Sequence, residues 1–295
     1  MRLRRRHLVF LACTALLAAC NAAQFVYNRL DFAVRWELGK YVDLSGEQRA
    51  RFDTDFRAFW DWHRKTELPR YAAALRKIAA RVDTPPDAAE LQRWSDEYSQ
   101  LWTPSLDRLT PLTCHLGASL SDAQVKSLLE QADDDLADYA DEYVDDKDAA
   151  LRAHAERSLA KSLRRWVGEL TPAQKQAIHE WNQSRPWVAA QWLAFRRAWR
   201  ERLAEILAAR SAPDFCPKLK QLVAGSDALW TPDQQRDFAA NRERWIALFA
   251  SLGPSLTATQ RQHLSQRVLE LAADLDALSA PAPGTVATPA GAPAN

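Results

Sequence analysis

His63 and Glu67 stand four residues apart in the run Trp62-His63-Arg64-Lys65-Thr66-Glu67-Leu68-Pro69-Arg70-Tyr71. On a helix that spacing puts an imidazole and a carboxylate on one face, where they can seat half a metal site or let the carboxylate orient the histidine. A zinc site needs further convergent ligands, yet no HExxH pattern accompanies this pair, and His179-Glu180 has no histidine four residues on. The plainer reading is a polar i,i+4 pair helping to end a helix before Pro69. A second collection of ligand-type side chains is the run 133–148, DDDLADYADEYVDDKD, in which Asp134, Asp138, Asp141 and Asp145 share a helical face. Without the glycine and closing glutamate of an EF-hand loop, it reads as a solvated face, with Arg152, Arg157, Arg164 and Arg165 as internal partners. Arg196, Arg197, Arg200 and Arg202 interleave with Trp192 and Trp199, a stripe that suits either lipid headgroups or a solvent face around buried tryptophans. Phosphate loops, dinucleotide fingerprints and GxSxG elbows are missing from the sequence, and adjacency of Cys114 and His115 says little about a pair in space. These residues lead to no catalytic centre, no metal and no cofactor.

The elements that position them begin with the ends of the chain. Arg2, Arg4, Arg5 and Arg6 precede an apolar run from Leu8 to Ala19, the layout of a secretory signal over 1–19 and too short to span a bilayer. The run ends in Leu17-Ala18-Ala19-Cys20, which resembles a bacterial lipobox. That resemblance implies cleavage before Cys20 and acylation of the cysteine. Asn21, where an aspartate would favour inner-membrane retention, then points to the periplasmic face of the outer membrane. More than one acyl chain gives stable attachment. Residues 20–25 leave only a short tether, roughly 20 Å when extended at about 3.3–3.6 Å per residue. Without the four signal arginines the chain carries 35 basic against 38 acidic residues, so it lacks the basic footprint of a nucleic-acid binder. Cys114 and Cys216 remain as an even pair in an oxidising compartment, either bridged or as buried free thiols. The segment 279–295, SAPAPGTVATPAGAPAN, is uncharged and proline-rich and is expected to be disordered.

Between the ends, 26–278 reads as a single all-α domain. Apolar residues recur at helical spacing, as in Leu264, Val268, Leu271, Leu275 and Leu278. Five pentapeptides recur with them: LSGEQ, LSDAQ, LTPAQ, WTPDQ and LTATQ. Each sets a hydroxyl residue three before a glutamine, the capping-box spacing: Ser45 with Gln48, Ser121 with Gln124, Thr171 with Gln174, Thr231 with Gln234 and Thr257 with Gln260. All ten are expected to act as helix caps. Pro172 and Pro232 fall at N1, where no donor is lost. Helices are expected at 26–41, 46–82 with a kink at Pro69, 86–109, 121–143, 146–168, 172–210 with a break near Pro186, 215–224, 232–251 and 257–278. That is an irregular antiparallel bundle of about nine helices, with starts too unevenly spaced for a regular solenoid.

Two resemblances add to this. The pentapeptides are similar to the LTxxQ signature of the periplasmic Spy and CpxP proteins, which implies chaperone activity in the envelope. Tyr27-Asn28-Arg29-Leu30-Asp31, then Tyr41-Val42-Asp43-Leu44, then Trp62-His63-Arg64 and Glu67-Leu68-Pro69-Arg70-Tyr71 resemble the YNxLD, YVDL and WHRxxELPxY motifs of an uncharacterised proteobacterial lipoprotein family. That family supplies Tyr27, Asn28, Asp31, Asp43, His63, Glu67, Pro69 and Tyr71 as candidate site residues and implies no activity. The expectation is a non-enzymatic, lipid-anchored, helical factor of the outer membrane that acts through a protein partner or client. A Spy-like chaperone is the alternative, and a metal-dependent enzyme using His63 and Glu67 is a third reading.

Overall fold

The computed structural model describes residues 24, 27–144 and 148–280, and every regular element among them is helical. The helices are α1 (Leu30–Tyr41), α2 (Gly46–Trp62), α3 (Leu68–Ala79), α4 (Ala88–Leu101), α5 (Thr103–Ser119), α6 (Asp122–Tyr143), α7 (Asp148–Val167), α8 (Pro172–Ser184), α9 (Ala189–Ala208), α10 (Phe215–Ala224), α11 (Pro232–Ser255) and α12 (Ala258–Ser279). A π turn at His63–Glu67 and a 3-10 turn at Ser226–Leu229 complete the set. The signal segment, Cys20, Asp145 and the tail beyond Ala280 lie outside the described residues. Among the described residues no helix is long and apolar enough to cross a membrane.

All nine expected spans are helical, and three of them divide. The kink at Pro69 takes the form of the π turn, in which Leu68 N–H bonds to the carbonyl of His63, five residues back. Proline at 69 offers no N–H to the preceding turn and its ring crowds it, and widening that turn absorbs the mismatch. The span 172–210 breaks between Ser184 and Ala189, around Pro186. The expected helix 86–109 is corrected: it stops at Leu101, and a new helix starts at Thr103 with Pro104 in its first turn. This helix continues through Pro111 to Ser119, because Leu109, Leu112 and Leu116 pack on α2 and tertiary burial outweighs the proline's penalty.

Each of the five pentapeptides forms a complete capping box: the Ser or Thr oxygen accepts from the glutamine N–H, and the glutamine Oε1 accepts from the cap N–H. Starting helices is only half of what their glutamines do. Gln48 Nε2 donates to Gln124 Oε1 at 3.0 Å and Gln124 Nε2 donates back to Gln48 Oε1 at 2.7 Å. Gln174 and Gln260 exchange the same two bonds, both at 2.9 Å. The remaining amide protons go to equivalent carbonyls: those of Ser119 and Asp43 around the first pair, and those of Ser255 and Glu169 around the second.

The fifth box keeps the cap but departs from this pairing. Gln234, expected only as a cap, is buried at 6 % exposure, and its Nε2 donates to the backbone carbonyl of Gln191 on α9 at 3.0 Å. Gln191 answers with a 3.0 Å bond from its own Nε2 to Asp237, so the start of α11 is tied to α9 from both sides. Burial is the reason for the added bond: an amide donor taken out of water needs a partner, and the carbonyl in the first turn of α9 supplies it.

The two reciprocal glutamine bridges mark an internal duplication. Leu116-Gly117-Ala118-Ser119-Leu120-Ser121 and Leu252-Gly253-Pro254-Ser255-Leu256-Thr257 occupy matching places. Phe52, Leu112 and Leu116 pack together in the first half, and Ile178, Leu248 and Leu252 in the second. In each half the first helix packs on the last (α1 on α6, α7 on α12) and the second on the fifth (α2 on α5, α8 on α11). The two middle helices cross over: α3 packs along α12 and α4 on α11, while α9 packs along α6 and α10 on α5. Glycines admit the crossing chain at matching points. A Cβ on Gly117 would lie 2.8 Å from the Phe215 ring, and one on Gly253 would lie 2.8 Å from Cβ of Pro85. The halves are therefore interlocked, and neither buries its middle helices without the other.

Candidate functional site

The motif residues near the amino terminus converge. Tyr27 stacks on Trp60 at 4.3 Å between ring centroids, and its hydroxyl shares a 2.8 Å hydrogen bond with His63 Nδ1. Asn28 Oδ1 accepts from Arg64. Glu67, 1 % exposed, takes two 2.9 Å bonds from Arg70 Nη1, one to each carboxylate oxygen. Leu68, Tyr71, Leu275 and Leu278 close the cluster, so this segment staples the start of the chain to the π turn and to the end of α12. Pro69 shapes the turn, while Asp43 lies apart, exposed, with Arg49 at 3.5 Å. The side chain of Asp31 is outside the described set.

The pairing expected between His63 and Glu67 is replaced by Tyr27–His63 and Glu67–Arg70, because the π turn rotates the two side chains towards different neighbours. Among the described residues no three His, Cys, Asp or Glu side chains are arranged to hold a metal ion. Burial holds the His63 pKa below the ordinary histidine value, against the opposing charge of Glu67, and burial raises Tyr27. A histidine with a lowered folded pKa stabilises the fold above the unfolded value of about 6.5 and loses that contribution as pH falls below it. Replacing His63 by Phe is expected to flatten that part of the stability-against-pH curve, as read by urea melts between acid and neutral pH. An unchanged slope would mean that His63 remains protonatable in the folded state.

Two charged stretches find specific partners. In the acidic run Asp133 pairs with Arg200 of α9, and Asp135 accepts from Tyr41 of α1, whose pKa rises to about 12 mainly through that bond. Arg152 donates to the carbonyls of Asn182 and Arg185. The arginine stripe of α9 is likewise engaged, with Arg196 over the Tyr139 ring and Arg202 on Glu205. Of its two tryptophans, Trp199 packs in the core and Trp192 stays part exposed.

Trp192 leads to a feature that the residue pattern did not announce, a trough of about 1260 Å³ between the halves. Its floor is α11, with Phe238, Trp245, Ile246 and Phe249; Ala73, Ala74, Lys77 and Ile78 of α3 form one wall, and Leu91, Trp94, Tyr98 and Leu101 of α4 the other. Trp192 and Trp230 close one end, each 4.9 Å from Phe238 between ring centroids. The bond from Gln234 to Gln191 lies at that end and holds the two helices that carry Trp192 and Phe238 together. Four of the large apolar side chains, Ile78, Tyr98, Trp192 and Phe249, are 38–60 % exposed. The rim carries Arg70, Lys77, Arg81 and Arg242 against Glu97. Arg70 links the trough to the Tyr27–His63 cluster, and the rings of His63, Tyr71, Trp102 and Tyr98 run between them at steps of 5.8–6.4 Å.

Comparison of the two halves explains the opening. On the far side, α10 packs on both α9 and α5 through Phe215, Leu219 and Leu222, with Leu203, Ile206 and Leu207 beneath, and Cys114–Cys216 joins α5 to α10 at a Cα–Cα distance of 5.3 Å. At the matching place α4 packs on α11 and α5 but stands off α3, whose Ala73 and Ala74 are too small to fill the gap. Arg81–Glu90 and Arg242–Asp96 hold α4 in that position. The signals for this site were present in the sequence, as the alanine run of α3 between cations and the aromatics of 187–249, but they acquire meaning only when four helices meet.

The fold and site define an interlocked helical protein with an open apolar trough. Residues 40–236 match DUF6279, a family of unknown function, and the chain belongs to that family. The matched span takes in Tyr41–Leu44 and Trp62–Tyr71 and starts after Tyr27–Asp31. No curated protein and no solved structure matches the chain.

Proposed function

We propose that this protein is a non-enzymatic lipoprotein of the outer membrane, acylated at Cys20 on the periplasmic face, that holds an amphipathic helix of another protein in the trough. The observation that carries this reading is the trough itself: large apolar side chains left exposed between walls held apart by ion pairs. Contiguous exposed apolar surface of this kind marks interaction sites. An extended strand would find no sheet edge here to satisfy its backbone, whereas a helix brings its backbone bonds with it. A helix is about 10–12 Å across, so two to three turns of one fill a space of this volume. On the rim Arg70, Arg81 and Arg242 are already paired with Glu67, Glu90 and Asp96, so it is Lys77 that favours an acidic residue on the flank of that helix. Spy-like holding of unfolded envelope proteins is the alternative, and the exposed aromatics suit it too.

The test is binding of labelled synthetic helices that share a leucine face and differ in carrying glutamate or lysine flanks. The glutamate helix is expected to bind the tighter, and Tyr98→Ser with Phe249→Ser is expected to weaken it about tenfold to a hundredfold, since about half of each side chain is left to bury and full burial is worth about 1.5–3 kcal/mol. Lys77→Glu is expected to narrow the difference between the two helices. Equal binding of both helices, or full binding by the Tyr98/Phe249 variant, would remove the trough as a helix site. Photo-crosslinking in cells from position 98 then separates the alternatives: one or two partners indicate a dedicated complex, many unfolded proteins a chaperone, and phospholipid adducts alone a lipid site.

A further inference from the structure

Two strongly exposed large apolar side chains lie outside the trough, on α1. Phe32 is 66 % and Trp36 60 % exposed, one helical turn apart. The opposite face of α1 is engaged, with Val34 and Leu38 packed against the α2–α5 core and Tyr41 bonded to Asp135 of α6. Between and beyond the two rings the outer face is smooth: Ala33 is exposed, and nothing comes within 4 Å of a Cβ built on Gly39. Lys40, paired with Glu37 at 2.8 Å, sets its ammonium 3.9 Å from the centre of the Trp36 ring, and Arg29 lies exposed just before the first turn. Aromatic side chains in a row on an exposed helix face, flanked by basic residues, are the pattern of a helix lying in a membrane interface, where the rings enter the headgroup boundary.

The position of the chain end names the occupant. Gln24 donates to Asp274 and Tyr27 packs against Leu68 and Leu278, so the chain enters the body at the end where α1 begins. Cys20, the expected acylation point, lies ten positions before Leu30, a reach of at most about 35 Å. A bilayer that holds the acyl chains therefore lies next to α1. We infer that the outer face of α1 is a membrane foot, with Phe32 and Trp36 inserted into the phospholipid interface beside the anchor. This foot fixes how the body sits on the membrane, which a single point of attachment does not do.

The inference shares with the proposed function the membrane location but not the trough, and it can be tested without the acyl group. The chain from residue 20 onward with Cys20→Ser retains every described residue. This protein is expected to co-sediment with vesicles of phosphatidylethanolamine and phosphatidylglycerol. Phe32→Ser with Trp36→Ser is expected to lower the partition coefficient by at least about tenfold, the effect of losing one or more buried large side chains. Thermal melting should be unchanged, because both side chains point away from the core, and Trp36→Phe should retain binding. The Tyr98→Ser/Phe249→Ser variant is expected to bind vesicles as the parent does, which separates the foot from the trough. Undiminished vesicle binding by the Phe32/Trp36 variant, or no binding by the parent, overturns the inference. So does a parent dimer in light scattering that the same variant abolishes, since the face would then be covered by a second copy.

Discussion

Serine at both Cys114 and Cys216 is expected to lower the unfolding free energy by about 4–5 kcal/mol, because the bridge closes a loop of 102 positions and so restricts the unfolded chain strongly. For a protein of this size that loss corresponds to a fall in Tm of roughly 7–9 °C. Position strengthens the expectation. The bond joins α5 of the first half to α10 of the second, at the crossing that is closed, and Cys114 is itself buried among Ile206, Leu207 and Phe215. The double variant is the informative one, since a single replacement leaves a reactive thiol beside a new hydroxyl. Calorimetry of parent and variant, with and without reductant, reads the effect directly. Reductant should bring the parent to the variant's Tm and leave the variant where it is. Equal melting of the two would show that apolar packing alone holds α10, and would remove the staple from the account of why that side is shut.

The second large effect concerns the glutamines. Gln174→Ala is expected to cost about 2–4 kcal/mol and Gln48→Ala about 1 kcal/mol or less, although both occupy the same place in the same motif. Gln174 is 1 % exposed, and its amide serves Thr171, Ser255 and Gln260 at once. Its removal strands a buried donor and acceptors with no route to water. Around Gln48 the same bonds run close to solvent, and water replaces much of what is lost. Gln174→Glu should be about as harmful as Gln174→Ala, since a carboxylate cannot donate to Ser255. Because Gln174 and Gln260 share their bonds, adding Gln260→Ala should cost less than it does alone. Urea melts of the four variants decide the matter: equal losses at 48 and 174 would mean that the motif acts only as a cap, with no added contribution from the bridge.

Both expectations bear on the site. The bridge at Gln174–Gln260 and the disulfide fix α11 and α5, onto which the middle helices cross, so damage at either point should loosen α4 and change the width of the trough. Hydrogen exchange along Ala88–Leu101 in the Cys114/Cys216 variant would register that change at a distance from the mutation.

The sequence by itself determined what depends on neighbours a few residues apart. A hydroxyl three positions before a glutamine specifies a helix start, apolar residues at three- and four-residue spacing specify a buried face, and prolines at 69 and 186 place two of the breaks. The all-helical class and most helix limits follow from such local rules. The exception at 86–109 shows the limit of those rules. Pro104 ended a helix that periodicity carried on, and Pro111 failed to end one because Leu112 is buried against α2. Only the tertiary structure decided which cap meets which, with Gln174 facing Gln260 while Gln234 faces the Gln191 backbone. It also decided that the middle helices exchange halves, and that one crossing is packed shut while its counterpart stays open. Those outcomes depend on side-chain volumes facing each other across more than a hundred residues, Ala73 and Ala74 on one side and Leu203 and Leu207 on the other. No local pattern encodes such a difference, since an alanine on a helix face reads the same whether a leucine or a gap lies opposite.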